Sequence, residues 1–385
     1  MGMAGNNLHI HVPTPGDHYS PATGSGVMTA IYELSRAHAR CGGETHIIVG
    51  KGTRHDYPVG QCFEVDFYRL PNKPQKLVDA GLGFLGMQRF FSSQIYSAAF
   101  AAIDRNTDAP IFLHSAQGAI RRFKQRLPKA QVCLYAHNSL FRTFSNRELR
   151  TTMDAADRII CVSDFLANAL ADRLGSRQDK IKVVNTGTDI ERFQPNPNPV
   201  NPEELVVLFV GRVVPEKGPD LLLKAAQKLA DGKRRFKIRI VGSANFAADA
   251  PLSDYEQELR KLAEPIRAHV EFLPFVDRKR IVEIYHNANI FCAPSNWDDP
   301  CPATVPESLA CGLPLVASRR GGIPEVGGDA ALYFKPPDTD ALATILAGLL
   351  DDPASRETWG KRSRARAESL SWFSQYQKLL RALDR

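Results

Sequence analysis

The chain has 385 residues, 43% hydrophobic and 24% charged, which is enough for two domains with full cores and an ordinary globular composition. Its formal charge of +7 sits almost wholly in residues 1–197, which carry 23 Lys and Arg against 17 Asp and Glu; the remainder carries 26 against 25. So small an excess argues against a nucleic-acid binder and favours an anionic surface or acceptor. Seven cysteines without close paired spacing read as reduced thiols, not as a disulfide framework or a zinc ribbon. Residues 1–7 are too polar for a leader and no apolar run reaches the length of a membrane span. A cytoplasmic protein is expected.

The first strand reads Leu8-His9-Ile10-His11-Val12, and a helical pattern follows at 27–40, with Val27, Ile31, Leu34 and Ala37 on one face. Residues 45–49 form a second strand. Gly24 and Gly26 lie between the first strand and the helix, but Thr29 stands where a nicotinamide fingerprint has its third glycine. By themselves they read as a loop-to-helix hinge. Residues 81–91 are apolar and glycine-spaced, with two readings open: buried core, or an exposed lip that admits an acceptor or touches a lipid surface. The basic residues Arg121, Arg122, Lys124, Arg126 and Lys129 read first as a solvated face, with the membrane surface as the rival. A strand at 131–136 carries His137 at its carboxyl end, the edge where α/β sheets bind ligands. Another strand at 157–162 leads to a helix capped by Ser163.

Residues 194–202 read QPNPNPVNP, a linker that continues neither helix nor strand. This sets the expected domains at 1–197 and 198–369, with a terminal helix at 370–385. The second half opens on a continuous apolar strand at 205–210, then Gly211, Arg212, Lys217 and Gly218 before a helix at 219–230. An Arg and a Lys among glycines, between strand and helix, make a cationic cradle for a diphosphate. A strand at 236–242 ends on Gly242, and Phe275 and Val276 precede an amphipathic helix at 277–286.

Residues 289–293 are a buried strand, followed by a loop with Asp298 and Asp299 and a helix at 303–311. Gly312 and Pro314 stop that helix, residues 313–318 form a strand, and Gly321-Gly322 opens another helix. Strand, loop, helix, strand, glycine loop and helix make a doubly wound α/β unit. Free N–H groups at such turns suit a phosphate, and Glu307 further along the helix can accept bonds from a vicinal diol. Phosphate plus diol is the chemistry of a nucleotide sugar; a solvated acidic loop and a surface Glu is the plainer alternative.

The segment from Asp299 through Glu307 to ACGLP and GGIPE resembles the signature of retaining glycosyltransferases of the GT-B fold, family 4. Glu307 matches the second Glu of the family's Glu-x7-Glu element, while Asp299, a shorter carboxylate, replaces the first. Gly211 to Gly218 matches GRxxxxKG, and residues 184–189, VNTGTD, are similar to PNGVD with Thr186 and Thr188 substituted. The resemblance implies two Rossmann-like domains facing a central cleft, with the terminal helix crossing back to the first. It implies a nucleotide-diphosphate sugar, UDP-linked as in UDP-N-acetylglucosamine or UDP-glucose, and transfer to a glycan or lipid-linked acceptor in surface polysaccharide or lipopolysaccharide synthesis. Arg212 and Lys217 then stabilise the departing diphosphate, Glu307 holds the ribose, and Asp299 and His137 orient the sugar. Gly24, Gly26, Gly211, Gly242, Phe275, Val276, Pro302, Ala303 and Thr304 complete the expected donor contacts. No metal or cofactor is expected, and the first domain is where peripheral contact with the inner face of a membrane is expected. A same-fold UDP-sugar epimerase or hydrolase, and a non-catalytic sugar-nucleotide binder, are the rival readings.

Overall fold

The computed structural model describes residues 7–198, 204–230, 232, 234–245 and 251–384, apart from the side chains of 176–178. Residues 199–203, which complete the proline-rich linker, lie outside the described residues. The chain divides into two compact units. One comprises Met1–Pro21, Ser25–Asn185 and Trp372–Arg385, the other Ala22–Gly24 and Thr186–Ser371.

In the first unit, β1 (Leu8–Val12), β2 (Glu44–Gly50), β3 (Gln61–Val65), β4 (Pro110–His114), β5 (Gln131–Ala136), β6 (Arg158–Cys161) and β7 (Ile181–Val183) pair in parallel. Their order is β3-β2-β1-β4-β5-β6-β7. The second sheet, also parallel, contains β8 (Leu205–Val210), β9 (Phe236–Val241), β10 (Val270–Leu273), β11 (Ile290–Ala293), β12 (Leu315–Ser318) and β13 (Ala331–Phe334). Its order is β10-β9-β8-β11-β12-β13. Each unit is therefore a doubly wound α/β sheet, whose strand order reverses between β1 and β4 in one and between β8 and β11 in the other. Ligands of such sheets bind outside the carboxyl ends of the strands at that reversal.

The sequence of β8, LVVLFV, shows why both faces are covered. Successive strand residues point to opposite faces. Val207 and Phe209 enter a core with Leu222 and Ala226 of the helix Pro219–Leu229. Val206 and Leu208 enter a second core with Val305 and Leu309 of the helix Thr304–Ala310. A strand buried on both sides must be apolar throughout, which is the pattern seen.

The terminal helix Trp372–Leu383 belongs to the first unit. Tyr376 lies against the rings of His9 and His38. Gln131 Nε2 donates to the Leu383 carbonyl at 2.9 Å, and Arg158 Nε to that of Ala382 at 2.9 Å.

Two expectations need correction, and one reading left open is decided. The division between units falls at 185/186, not 197/198, because residues 186–198 pack on the second unit. There Phe193 is fully buried, and the Thr188 N–H donates to the Leu370 carbonyl at 2.9 Å. The helix expected at 277–286 begins at Ile281, since Asp277 Oδ1 accepts from the N–H groups of Lys279 and Arg280 and turns the chain first. Residues 81–91 are not core: Phe84 is 76% exposed, and Leu85, Met87 and Phe90 are exposed as well.

Candidate functional site

Two constellations stand at the two strand reversals, one in each unit. In the second unit the loop after β8 carries Arg212, whose side chain is exposed and has no ion-pair partner among the described residues. Lys217 sits five residues on, before Gly218, where φ is +68° and a Cβ would collide with the Pro294 carbonyl, so only glycine fits. That close approach is reinforced by Asn296 N–H donating to the Glu216 carbonyl at 2.9 Å. The β8 and β11 loops are thereby locked together, and Lys217 Nζ is brought onto Asp299 Oδ2 as a charge-assisted hydrogen bond. Asp299 is buried. Its carbonyl accepts from Gly322 N–H at 2.8 Å, and Gly321, at φ +55°, packs where a side chain would strike the Asp299 backbone. The glycine pair thus serves the carboxylate by letting the next loop pass against it.

Glu307 is also buried, on the helix Thr304–Ala310. Arg278 Nη1 donates to its Oε1 at 2.8 Å and Tyr285 OH to its Oε2 at 2.9 Å. Burial, then the Glu307 charge, push the Tyr285 phenol well above its ordinary range, so it stays a donor. Each carboxylate oxygen keeps a second lone pair, so Glu307 still has capacity for a diol. Pro302, Ala303 and Thr304 lead into this helix and are partly exposed. Gly211 N–H donates to the Val241 carbonyl and Gly242 N–H to that of Leu273, each at 3.1 Å. Gly242, Ser243, Leu273 and Pro274 line part of a cavity of about 110 Å³, and Phe275 and Val276 follow in the chain. A larger cavity of about 630 Å³ opens near Asn289 and Pro314, at the opposite, amino ends of β11 and β12, and is lined by none of the expected site residues.

In the first unit Ser25 is the N-cap of the helix Gly26–Arg40 and its hydroxyl accepts from Met28 N–H at 3.3 Å; Gly24, the residue before it, is counted with the second unit. His137 follows β5 and is partly exposed. Its Nε2 lies 2.8 Å from His114 Nδ1, and His114 Nε2 lies 2.8 Å from His11 Nδ1. Strand register explains the line. His11 stands opposite Phe112 and His114 opposite Tyr135, so each imidazole lies one same-face step beyond its neighbour's partner. The rings stack as they climb: His11 on Phe112 at 4.8 Å, His114 on Tyr135 at 5.2 Å and Tyr135 on His137 at 4.8 Å.

Burial keeps the whole group neutral. It lowers His11 to about 3 and His137 to about 4, and takes His114 well below the ordinary imidazole range. His9 and His38, stacked at 3.8 Å, are lowered too, His38 to about 4. The 2.8 Å spacings are those of shared hydrogens; nitrogens on one tetrahedral zinc at 2.0–2.1 Å stand about 3.4 Å apart. Among the described residues no group of three or more His, Cys, Asp or Glu is placed to hold a metal ion.

Lys217 and Asp299 meet, Glu307 meets Arg278 and Tyr285, and His137 meets His114. His11, His114, Arg278 and Tyr285 were not singled out from sequence. The alternations His9-Ile10-His11 and Phe112-Leu113-His114 carried a signal for the first two: an imidazole on a buried strand face needs a partner.

Residues 24–192 match the family model described as Glycosyltransferase Family 4, and residues 190–366 that described as Glycosyl transferases group 1. The chain is 31% identical over 268 residues to spore coat protein SA of Bacillus subtilis, a match covering 65% of this chain and 71% of that protein. It is 30% identical over 234 residues to a D-inositol 3-phosphate glycosyltransferase of Kribbella flavida, covering 57% of this chain and about half, 54%, of that relative. Among solved structures it superposes on sucrose-phosphate synthase of Thermosynechococcus elongatus with a TM-score of 0.74 at 20% identity, covering 97% and 98% of the two chains. Anabaena HepE in complex with UDP superposes with a TM-score of 0.72 at 18% identity, covering 98% and 99%. The chain belongs to the group 1, family 4 glycosyltransferases, enzymes built on the GT-B pattern of two parallel α/β domains.

Proposed function

We propose that this glycosyltransferase takes its sugar from a nucleotide-diphosphate sugar, with UDP as the carrier, and transfers it with retention to a glycan or lipid-linked acceptor of surface polysaccharide or lipopolysaccharide synthesis. The observation that carries the donor reading is the second unit's strand reversal, where Arg212 and Lys217 present cations beside two fixed carboxylates. Arg212 and Lys217 stabilise the charge that develops on the departing diphosphate, the kind of preorganised electrostatics that dominates many catalysed reactions. Glu307 accepts hydrogen bonds from the ribose diol through its remaining lone pairs. Asp299 and His137 orient the transferred sugar. The structure solved with UDP in Anabaena HepE supports the choice of carrier through likeness of fold.

The lipid side of the acceptor rests on a different observation. Leu77, Val78, Phe84, Leu85, Met87 and Phe90, on and after the helix Lys73–Phe84, are all more than half exposed. Such a patch at the edge of a basic unit suits peripheral contact with an anionic membrane. No helix among the described residues is long and apolar enough to cross one.

A panel of nucleotide sugars tested by thermal shift, then by release of the nucleotide with and without acceptors, tests the reading. Stabilisation by UDP-glucose or UDP-N-acetylglucosamine, with turnover that survives excess EDTA, is expected. Loss of turnover in EDTA and rescue by Mg²⁺ would replace the cationic cradle with a metal site. Conversion of the donor without acceptor would point to epimerase or hydrolase chemistry instead.

A further inference from the structure

The line His11–His114–His137 crosses three adjacent strands and ends at a partly exposed ring. A neutral imidazole carries one hydrogen on two nitrogens. Each 2.8 Å contact must hold a single hydrogen, since two would clash and none would set lone pair against lone pair. Only two arrangements satisfy both contacts. Either all three rings carry hydrogen on Nδ1, or all three carry it on Nε2. The choice at one end therefore fixes the other end. His137 Nε2 is taken by His114, so Nδ1 is the nitrogen left for a ligand, and whether it donates or accepts is set two rings away.

We propose that His114 and His11 are positioning residues for His137, fixing its tautomer and ring plane through the two shared hydrogens. This rests on the reading that His137 meets the transferred sugar. A sugar hydroxyl can either donate or accept, so a His137 free to exchange tautomers would hold it in two ways. The chain ties that choice to His114 and His11, so His137 cannot change tautomer alone. The ring plane is fixed as well, by Tyr135 stacked on His137 at 8° between planes and on His114 at 15°. Past His114 the backbone is held too: Ser115 takes φ +54° and its N–H donates to the Tyr135 carbonyl at 3.0 Å.

The titratable groups that face the chain are His9 beside His11 on β1, His38 from the helix Gly26–Arg40, Tyr135 on β5, and Tyr376 from the helix Trp372–Leu383 behind His9 and His38. Burial keeps the imidazoles of the chain neutral well below pH 6, so the tautomer argument holds across the working range.

The test uses the full chain with ¹⁵N-labelled histidine, and UDP-glucose and UDP-N-acetylglucosamine as donors. In the wild type His11, His114 and His137 should show one common tautomer by NMR; unlike tautomers among the three overturn the proposal outright. His114→Phe keeps a ring and removes both nitrogens. It should leave His137 averaging between tautomers and lower kcat on the order of 10- to 100-fold, the scale for losing a group that orients an imidazole, with donor KM little changed. His114→Gln, which can donate and accept, should recover much of the loss. His137→Ala separates the two readings. If it turns over like wild type, the role of His137 falls and the chain has nothing to position. If it is impaired while His114→Phe keeps wild-type kcat and a single His137 tautomer, only the positioning role falls. Should His114→Phe fail to fold, the wild-type tautomers still decide.

Discussion

The two strand reversals share one topology and use opposite chemistry. At β1 and β4 the interior polar groups are imidazoles that share hydrogens and carry no charge. At β8 and β11 they are ion pairs, Lys217 with Asp299 and Arg278 with Glu307. A neutral network tolerates burial cheaply but cannot accept a proton without losing its bonding pattern. An ion pair can keep its charges at hand for an anionic ligand, but removing one partner strands the other. The difference predicts that acid attacks the first unit and single-charge substitutions attack the second.

Acid gives the largest effect. An unfolded histidine titrates near 6.5, whereas His11 folded titrates near 3 and His114 is lowered as well. Between those values the unfolded chain binds protons that the native one does not, so stability rises with pH. It is fully present above about pH 7 and lost as pH falls from 6.5 toward 3, by up to about 1.4 kcal/mol per pH unit for each such ring. Denaturant titrations between pH 7.5 and 5 should show this slope, and His114→Leu should flatten it. An equal slope in His114→Leu would mean the chain is not what acid attacks.

Next come the cradle cations. Arg212→Ala and Lys217→Ala should each lower kcat by roughly 10²–10³, the scale for losing one donor to developing charge. Their stabilities should differ. Arg212 is exposed, so Tm should hold, whereas Lys217→Ala leaves buried Asp299 without its cation and should lower Tm. Unchanged turnover in either variant removes that residue from the mechanism, and equal Tm values would show that the pair does not matter to the fold.

Glu307→Gln tests the other pair. It keeps the shape but weakens the bonds to Arg278 and Tyr285, so Tm should fall. If Glu307 also holds the ribose, free UDP should bind about 1.5–3 kcal/mol more weakly. A lower Tm with unchanged UDP affinity would make Glu307 structural only.

Legibility from sequence followed the same division. Strands such as 8–12, 131–136 and 205–210 were visible because buried parallel strands are short apolar runs or strict alternations, and glycines or caps mark their ends. The first sheet's β3, QCFEV, was missed because it is an edge strand with polar and apolar residues mixed. In the second unit the charged residues announced themselves, since Arg, Lys and Glu between strand and helix have few reasons to be there. Their pairings did not, because Lys217 and Asp299 are 82 positions apart and only the β8–β11 adjacency joins them. In the first unit His137 was visible at a strand end, but its partners lie 23 and 126 positions away, His11 on a strand read without a role for it and His114 on a strand that was not read at all.

The smallest effect is the most discriminating. Read from sequence, Asp299 touches only the transferred sugar and should be indifferent to free UDP. Its contact with Lys217 changes that expectation, because a carboxylate on the cation offsets part of the attraction for a diphosphate. Asp299→Asn keeps the side-chain shape and removes the offset. One unit charge at about 6 Å, in surroundings of effective dielectric about 40, is worth about 1.4 kcal/mol, so free UDP should bind up to roughly tenfold more tightly. Turnover of the nucleotide sugar should nevertheless fall, because the sugar loses its carboxylate. Asp299→Glu keeps the charge and should leave UDP affinity within about twofold, the sugar preference shifting if reach matters. Titration calorimetry with UDP on these two variants and Glu307→Gln separates the cases. If Asp299→Asn and Glu307→Gln weaken UDP equally, the two carboxylates do one job, and the Lys217–Asp299 contact is a way of holding the cradle together.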